Sequence, residues 1–117
     1  MIDDIFDILS RRSGVSSSIT RIALPLVSRY MLRKIEPKLA SRFMSILPFN
    51  ITNLFSNDEK KQYTTTQEDV SEKEIIERIS AECCDGDQEK GKRVYQEAVK
   101  ILKENNRERQ KDFEINN

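Results

Sequence analysis

The sequence contains no histidine. That absence removes the commonest general base near neutral pH, the Ser–His and Cys–His nucleophile pairs, and the commonest zinc ligand. Tryptophan is missing too, aromatic residues make up 7% of the chain, and glycine and proline occur three times each. So few turn formers and aromatics exclude the many reversals and packed strands of an all-β sandwich. Gly14, Gly86 and Gly91 are isolated, so no glycine-rich loop is available to cradle a phosphate. No run approaches the ~18 apolar residues of a membrane span. The N-terminal stretch MIDDIFDIL is acidic where a secretory signal carries positive charge. The expected compartment is therefore cytoplasmic, where the Asn-Ile-Thr sequon at 50–52 stays idle.

What remains is charge and helical periodicity. Of the 117 residues, 37% are apolar and 34% charged, enough for one small core dressed in solvated helix faces. The pattern predicts an all-α fold, a small bundle of four to six helices arranged as two hairpins. A first helix is expected over 3–12, with Asp3 and Asp4 at the positive end of its dipole. After the break SGVSSS, Ser16 or Ser17 caps a second helix reaching 35, whose stripe is Ile19, Ile22, Ala23, Leu26, Val27, Tyr30 and Met31. Ser28 falls off that stripe, and Pro25 inside it kinks the helix. Pro37 opens a third helix with Leu39, Ala40, Phe43, Met44 and Leu47 inward. Pro48 ends it, and a short fourth element turns Phe49 and Phe55 back to the core. As a core residue, Phe43 truncated to Ala should cost roughly 3–5 kcal/mol.

Residues 1–57 form a basic-biased N-terminal half, and 58–70, polar and without period, reads as a linker. Residues 71–117 form an acidic-biased hairpin with a frayed end from Glu104. Ser71 and Glu74 make a capping box, and Asp87 caps the last helix. Up to Asn57 there are eight Lys/Arg against four Asp/Glu (+4), and from Asp58 twelve against sixteen (−4). Charge is therefore expected to guide docking of Arg29, Arg33, Lys38 and Arg42 onto Glu72, Glu77, Glu82 or Glu97.

The halves also echo each other. DDIFDILS aligns with KEIIERIS, placing Ile5 on Ile75, Phe6 on Ile76, Leu9 on Ile79 and Ser10 on Ser80. One inserted residue later, Ala23, Val27, Tyr30 and Met31 fall on Val94, Ala98, Ile101 and Leu102. In the first half, Ala40, Phe43, Leu47 and Pro48 followed by Leu54 and Phe55 spell A-x-x-F-x-x-x-L-P and then LF. With the short acidic helix and the longer helix before it, this half resembles the prokaryotic helical-repeat domains grouped as domain of unknown function 2267. The second half lacks its own LP element, and the resemblance implies a helical-repeat fold without any assigned chemistry.

Few residues point to chemistry. Cys83 and Cys84 stand at a helix C-terminus, where the dipole raises a thiol pKa, and one is expected to pack beside Ile79 with the other half exposed. Asp85, Asp87 and Glu89 lack the length and terminal Glu of a calcium loop. No cofactor and no metal are expected. Among the cations, Arg29, Arg33, Lys34, Lys38 and Arg42 are the candidate contacts to a partner or to phosphate. The reading is a non-enzymatic protein-interaction or self-assembly module, with a protein partner or self-association first. The alternative is a nucleic-acid-binding protein using the basic stripe of the N-terminal helices. A membrane surface ranks last, because the core needs the same apolar faces.

Overall fold

The first N–H groups of a helix have no partner within it, and a short polar side chain placed just ahead satisfies them. Asp4 accepts from the Phe6 N–H at 2.8 Å and opens α1 (Ile5–Ser13). Ser16 accepts from Ile19 at 3.4 Å and opens α2 (Ser17–Lys34). Pro37 takes the first position of α3 (Pro37–Ile46), and Pro48 precedes α4 (Phe49–Thr52). Ser56 accepts from Glu59 at 3.1 Å ahead of α5 (Asn57–Thr65). Ser71 accepts from the Glu74 N–H at 3.2 Å ahead of α6 (Glu72–Cys83), which is the serine half of the expected capping box. Asp87 accepts from Lys90 at 3.1 Å ahead of α7 (Gln88–Ile115).

The computed structural model describes residues 4–115, and the side chains of 4–104. Among the described residues there are seven helices and no strand, so the fold is all-α. The helix count exceeds the expected four to six because 58–70, read as a linker, carries α5 over most of its length. That helix has no apolar period. Ser56, Asp58 and Glu59 start it, and Tyr63 is the side chain it buries. At the other end, residues 104–115 continue α7 where fraying was expected, while Asp3, Asn116 and Asn117 lie outside the described residues. Pro25 lies in the middle of α2, where its missing N–H leaves the Arg21 carbonyl without an i+4 donor.

The chain forms two units, and neither is one half of the sequence. Unit 1 takes the residues up to Val27 together with Ser71–Ile101, and unit 2 takes Ser28–Val70 with the residues after Ile101. In unit 1 the core includes Phe6, Leu9, Leu24, Ile79, Val94 and Ala98. Two turns there need positive φ, at Gly14 (φ 73°) and Gly86 (φ 84°), where a side chain would be strained. Gly14 N–H reaches the Ser10 carbonyl, four residues back, at 2.9 Å and closes α1, whereas Gly86 N–H reaches that of Ser80, six residues back, at 2.8 Å and closes α6, with Asp85 before it also at positive φ (52°). Gly91 is needed for closeness instead. A Cβ there would lie 2.0 Å from Ser80 Oγ and 3.0 Å from Ser80 Cα, so α6 and α7 touch at this point.

In unit 2, α3 packs against α5, and Leu32, Ala40, Leu47, Ile51, Phe55 and Tyr63 are buried. The expected faces are corrected in several places. On α2 the buried face is turned by about one residue toward Thr20, Leu24 and Ser28, leaving Ile22 49% exposed. Small hydroxyl residues can be buried when a helix carbonyl is near, and Thr20 Oγ1 donates to Ser17 O at 2.7 Å. On α3 the inner face narrows to Ala40 and Leu47, with Phe43 and Met44 half-buried and Leu39 exposed. Phe55 is buried as expected, but Phe49 points outward. A half-buried Phe43 has less surface to lose, so its truncation costs less than the core figure.

The Gly91 contact yields a stability prediction. Gly91→Ala gains helix propensity of up to about 1 kcal/mol but forces Ser80 and the α6 backbone to move. The expected net loss is about 1–3 kcal/mol, read as a lower urea midpoint. Adding Ser80→Ala, which removes the nearest atom, should recover part of it.

Candidate functional site

The five candidate cations all fall in unit 2, and the structure divides them. Arg29 is engaged on every side: Nε donates to Glu59 at 2.7 Å, a terminal nitrogen reaches the Leu54 carbonyl at 3.3 Å, and the guanidinium lies 5.2 Å from the Phe55 ring centre. Glu59 also accepts from the Tyr63 hydroxyl at 2.8 Å, and Tyr63 meets Phe55 edge to face at 5.9 Å. Burial first, and then the Glu59 carboxylate, push the Tyr63 hydroxyl well above its ordinary pKa, which keeps it a donor.

Arg33 and Lys34 lie at the end of α2, where four carbonyls lack helical partners. Residues 67 and 68 cover two of them: Glu68 N–H donates to Arg33 O at 2.8 Å, and Gln67 Nε2 to Lys34 O at 2.9 Å. The Glu68 carboxylate stands 3.8 Å from the Arg33 guanidinium, a looser pairing, and the buried Arg33 Nε has no hydrogen-bond partner. Lys34 Nζ donates to the Tyr30 hydroxyl at 3.0 Å. Lys38 and Arg42 are different. Both are exposed on α3, one turn apart, and Lys38 makes only a wide contact to Glu36 at 3.4 Å with its side chain 80% exposed.

The carboxylates that hold Arg29 and Arg33 thus come from the segment read as a linker, and not from the second hairpin as expected. Glu82 instead pairs with Arg78 at 3.3 Å, and Glu97 with Lys100 at 3.6 Å, both within their own helices. By unit, the charges are nine Lys/Arg against eleven Asp/Glu in unit 1 (−2), and eleven against nine in unit 2 (+2), half the contrast between sequence halves.

The thiols fare differently from expectation in one respect: Cys83 and Cys84 are both buried, so neither is half exposed. Burial, then Cys84 and Glu82, push Cys83 up to about 11, and burial raises Cys84 as well. Both stay protonated near neutral pH and are poor nucleophiles there. Among the described residues, no three His, Cys, Asp or Glu side chains could together hold a metal ion. No helix there is long and apolar enough to cross a membrane.

Sequence reasoning missed the exposed apolar side chains Leu39 (46% exposed), Phe49 (77%) and Leu54 (52%). Of the letters that carry the family resemblance, Ala40, Leu47 and Phe55 are buried, Phe43 and Pro48 half-buried, and Leu54 exposed. No protein-family model, curated protein or solved structure matches the chain.

Two predictions follow from this geometry. Glu59→Ala strands the Tyr63 hydroxyl and the Arg29 guanidinium together. With the ion pair a quarter to a third exposed, the loss should be about 1–2 kcal/mol by chemical denaturation, and less in Glu59→Gln, which keeps an acceptor. For the thiols, folding raises the Cys83 pKa from 9.0 to about 11. Its contribution to stability is present below pH 9 and lost as pH rises toward 11. Labelling by a disulfide reagent should be slow in the native protein at pH 7–8 and accelerate toward pH 11, whereas the unfolded chain should react with an ordinary thiol profile.

Proposed function

We propose that the chain is a non-enzymatic module for protein interaction or self-assembly. The exposure of Phe49 carries this reading. An aromatic side chain left 77% open forgoes most of the about 1.5–3 kcal/mol that burial would return, and Leu39 and Leu54 are open as well. A partner surface recovers that energy. Two further observations support the choice: the two buried thiols stay protonated and are poor nucleophiles at neutral pH, and Arg29 and Arg33 hold carboxylates. The nucleic-acid alternative loses most from the second, since Arg29 and Arg33 would have to exchange carboxylates for phosphates.

A finer arrangement belongs to the same proposal: unit 1 is one hairpin used twice. Its support is local. The aligned serines Ser10 and Ser80 both have carbonyls capped by a positive-φ glycine, and Ser16 and Asp87, in register after the inserted residue, both cap the longer helix. Such a pair is of the kind seen in the helical-repeat domains that the first half resembles.

Sedimentation equilibrium of the intact protein tests the module. Self-assembly gives a mass that is a multiple of 13.7 kDa, and Phe49→Asp returns it to the monomer with helicity and unfolding midpoint unchanged. A monomer at every concentration removes self-assembly and leaves a separate protein partner.

A further inference from the structure

From Pro37 to Asn57 the chain has no Asp or Glu, and its charges are Lys38 and Arg42 alone. Leu39, Phe43 and Ile46 recur at i, i+4 and i+7 on α3, so they form one stripe along that helix. None of the three is fully buried. Lys38 precedes the stripe and Arg42 sits within it, one turn on, both exposed. After Leu47 and Pro48, both in extended conformation, Phe49 stands exposed at the start of α4. An apolar seam with cations at its border and no anion is the complement of a helix that carries apolar residues at the same spacing and carboxylates beside them.

We infer that this edge of α3 docks an acidic amphipathic helix of a partner protein. The inference rests on the interaction-module reading and names the partner's chemistry. A second copy fits the seam poorly. A two-fold contact of the seam with itself sets Lys38 and Arg42 of both copies together, with no carboxylate from 37–57 to separate them. Among the described residues, Ile22 is the exposed large apolar side chain outside 37–57, and it follows Arg21, so it supplies no acidic counterpart. The Lys38–Glu36 contact is too exposed to compete, with side chains 80% and 56% open.

The test uses the full chain and two labelled synthetic helices of identical Leu spacing, one flanked by Glu and the other by Lys. Vesicles of phosphatidylcholine and phosphatidylserine serve as a third probe. Fluorescence anisotropy should show the Glu peptide binding at least about tenfold more tightly than the Lys peptide, with the gap narrowing as salt rises. Leu39→Asp, at an exposed position that does not threaten the fold, should abolish binding. The pair Lys38→Glu and Arg42→Glu should reverse the preference toward the Lys peptide. Equal binding of the two peptides, or a preference that survives the charge reversal, overturns the inference. So does binding to vesicles that Leu39→Asp removes while neither peptide binds. If neither peptide binds but the chain self-associates through Phe49, the docking inference fails and the module reading stands. If neither binds and the chain is a monomer at every concentration, the docking inference fails and self-assembly is removed with it.

Discussion

The Glu59 carboxylate accepts hydrogen bonds from Arg29 on α2 and from Tyr63 one turn along α5, and the first of these ties α5 to α2 within unit 2. Arg29 in turn reaches the carbonyl of Leu54 and covers Phe55, whose edge meets Tyr63. One anion thereby joins a helix, the turn after α4 and a second helix whose own sequence carries almost no apolar surface. Partly desolvated groups joined this way depend on each other, because the loss of one leaves a charge or a hydroxyl without its partner. The short α5 is marginal alone and is held by this attachment and by its packing on α3.

Unit 1 has a different constraint, which is closeness. At Gly91 the α7 backbone comes so near Ser80 that even a methyl group would collide. Ser80 suits the position because it is small and because its hydroxyl donates to the Ile76 carbonyl at 2.7 Å, so a buried polar atom is satisfied within its own helix. The glycines at 14 and 86 serve the turns, and Gly91 serves the packing. Three glycines therefore account for two distinct needs.

Charge is spent unevenly over the surface of unit 2. Carboxylates from α5 and from residue 68 meet the arginines of α2, while α3 keeps Lys38 and Arg42 exposed beside open apolar side chains. That contrast supports reading α3 as a surface left for association. The cations that looked equivalent along the sequence are not equivalent in their chemistry. Arg29 is a structural tie, and Lys38 stays exposed.

Local signals were legible from the residues themselves. Ser16, Ser71 and Asp87 cap helices where their spacing says they should, Pro37 starts a helix, Pro48 follows the end of one, and the periodic stretches are helical. These depend on neighbours within about four residues, so they survive without knowledge of the fold. The all-α class was legible for the same reason. The candidate surface was not: periodicity put Leu39 and Ile22 inside, and both are exposed, because a helical pattern shows that a face is apolar but not how far a neighbour extends over it. Helix α5 escaped notice because it is held by Glu59 and Tyr63 and not by an apolar stripe. The sequence by itself determined where helices begin and that no imidazole is present, since caps and prolines act locally and composition is fixed by the residues. Only the tertiary structure decided which residues share a unit, which carboxylate meets Arg29, and which apolar side chains stay open, since each depends on segments about thirty residues or more apart brought together by folding.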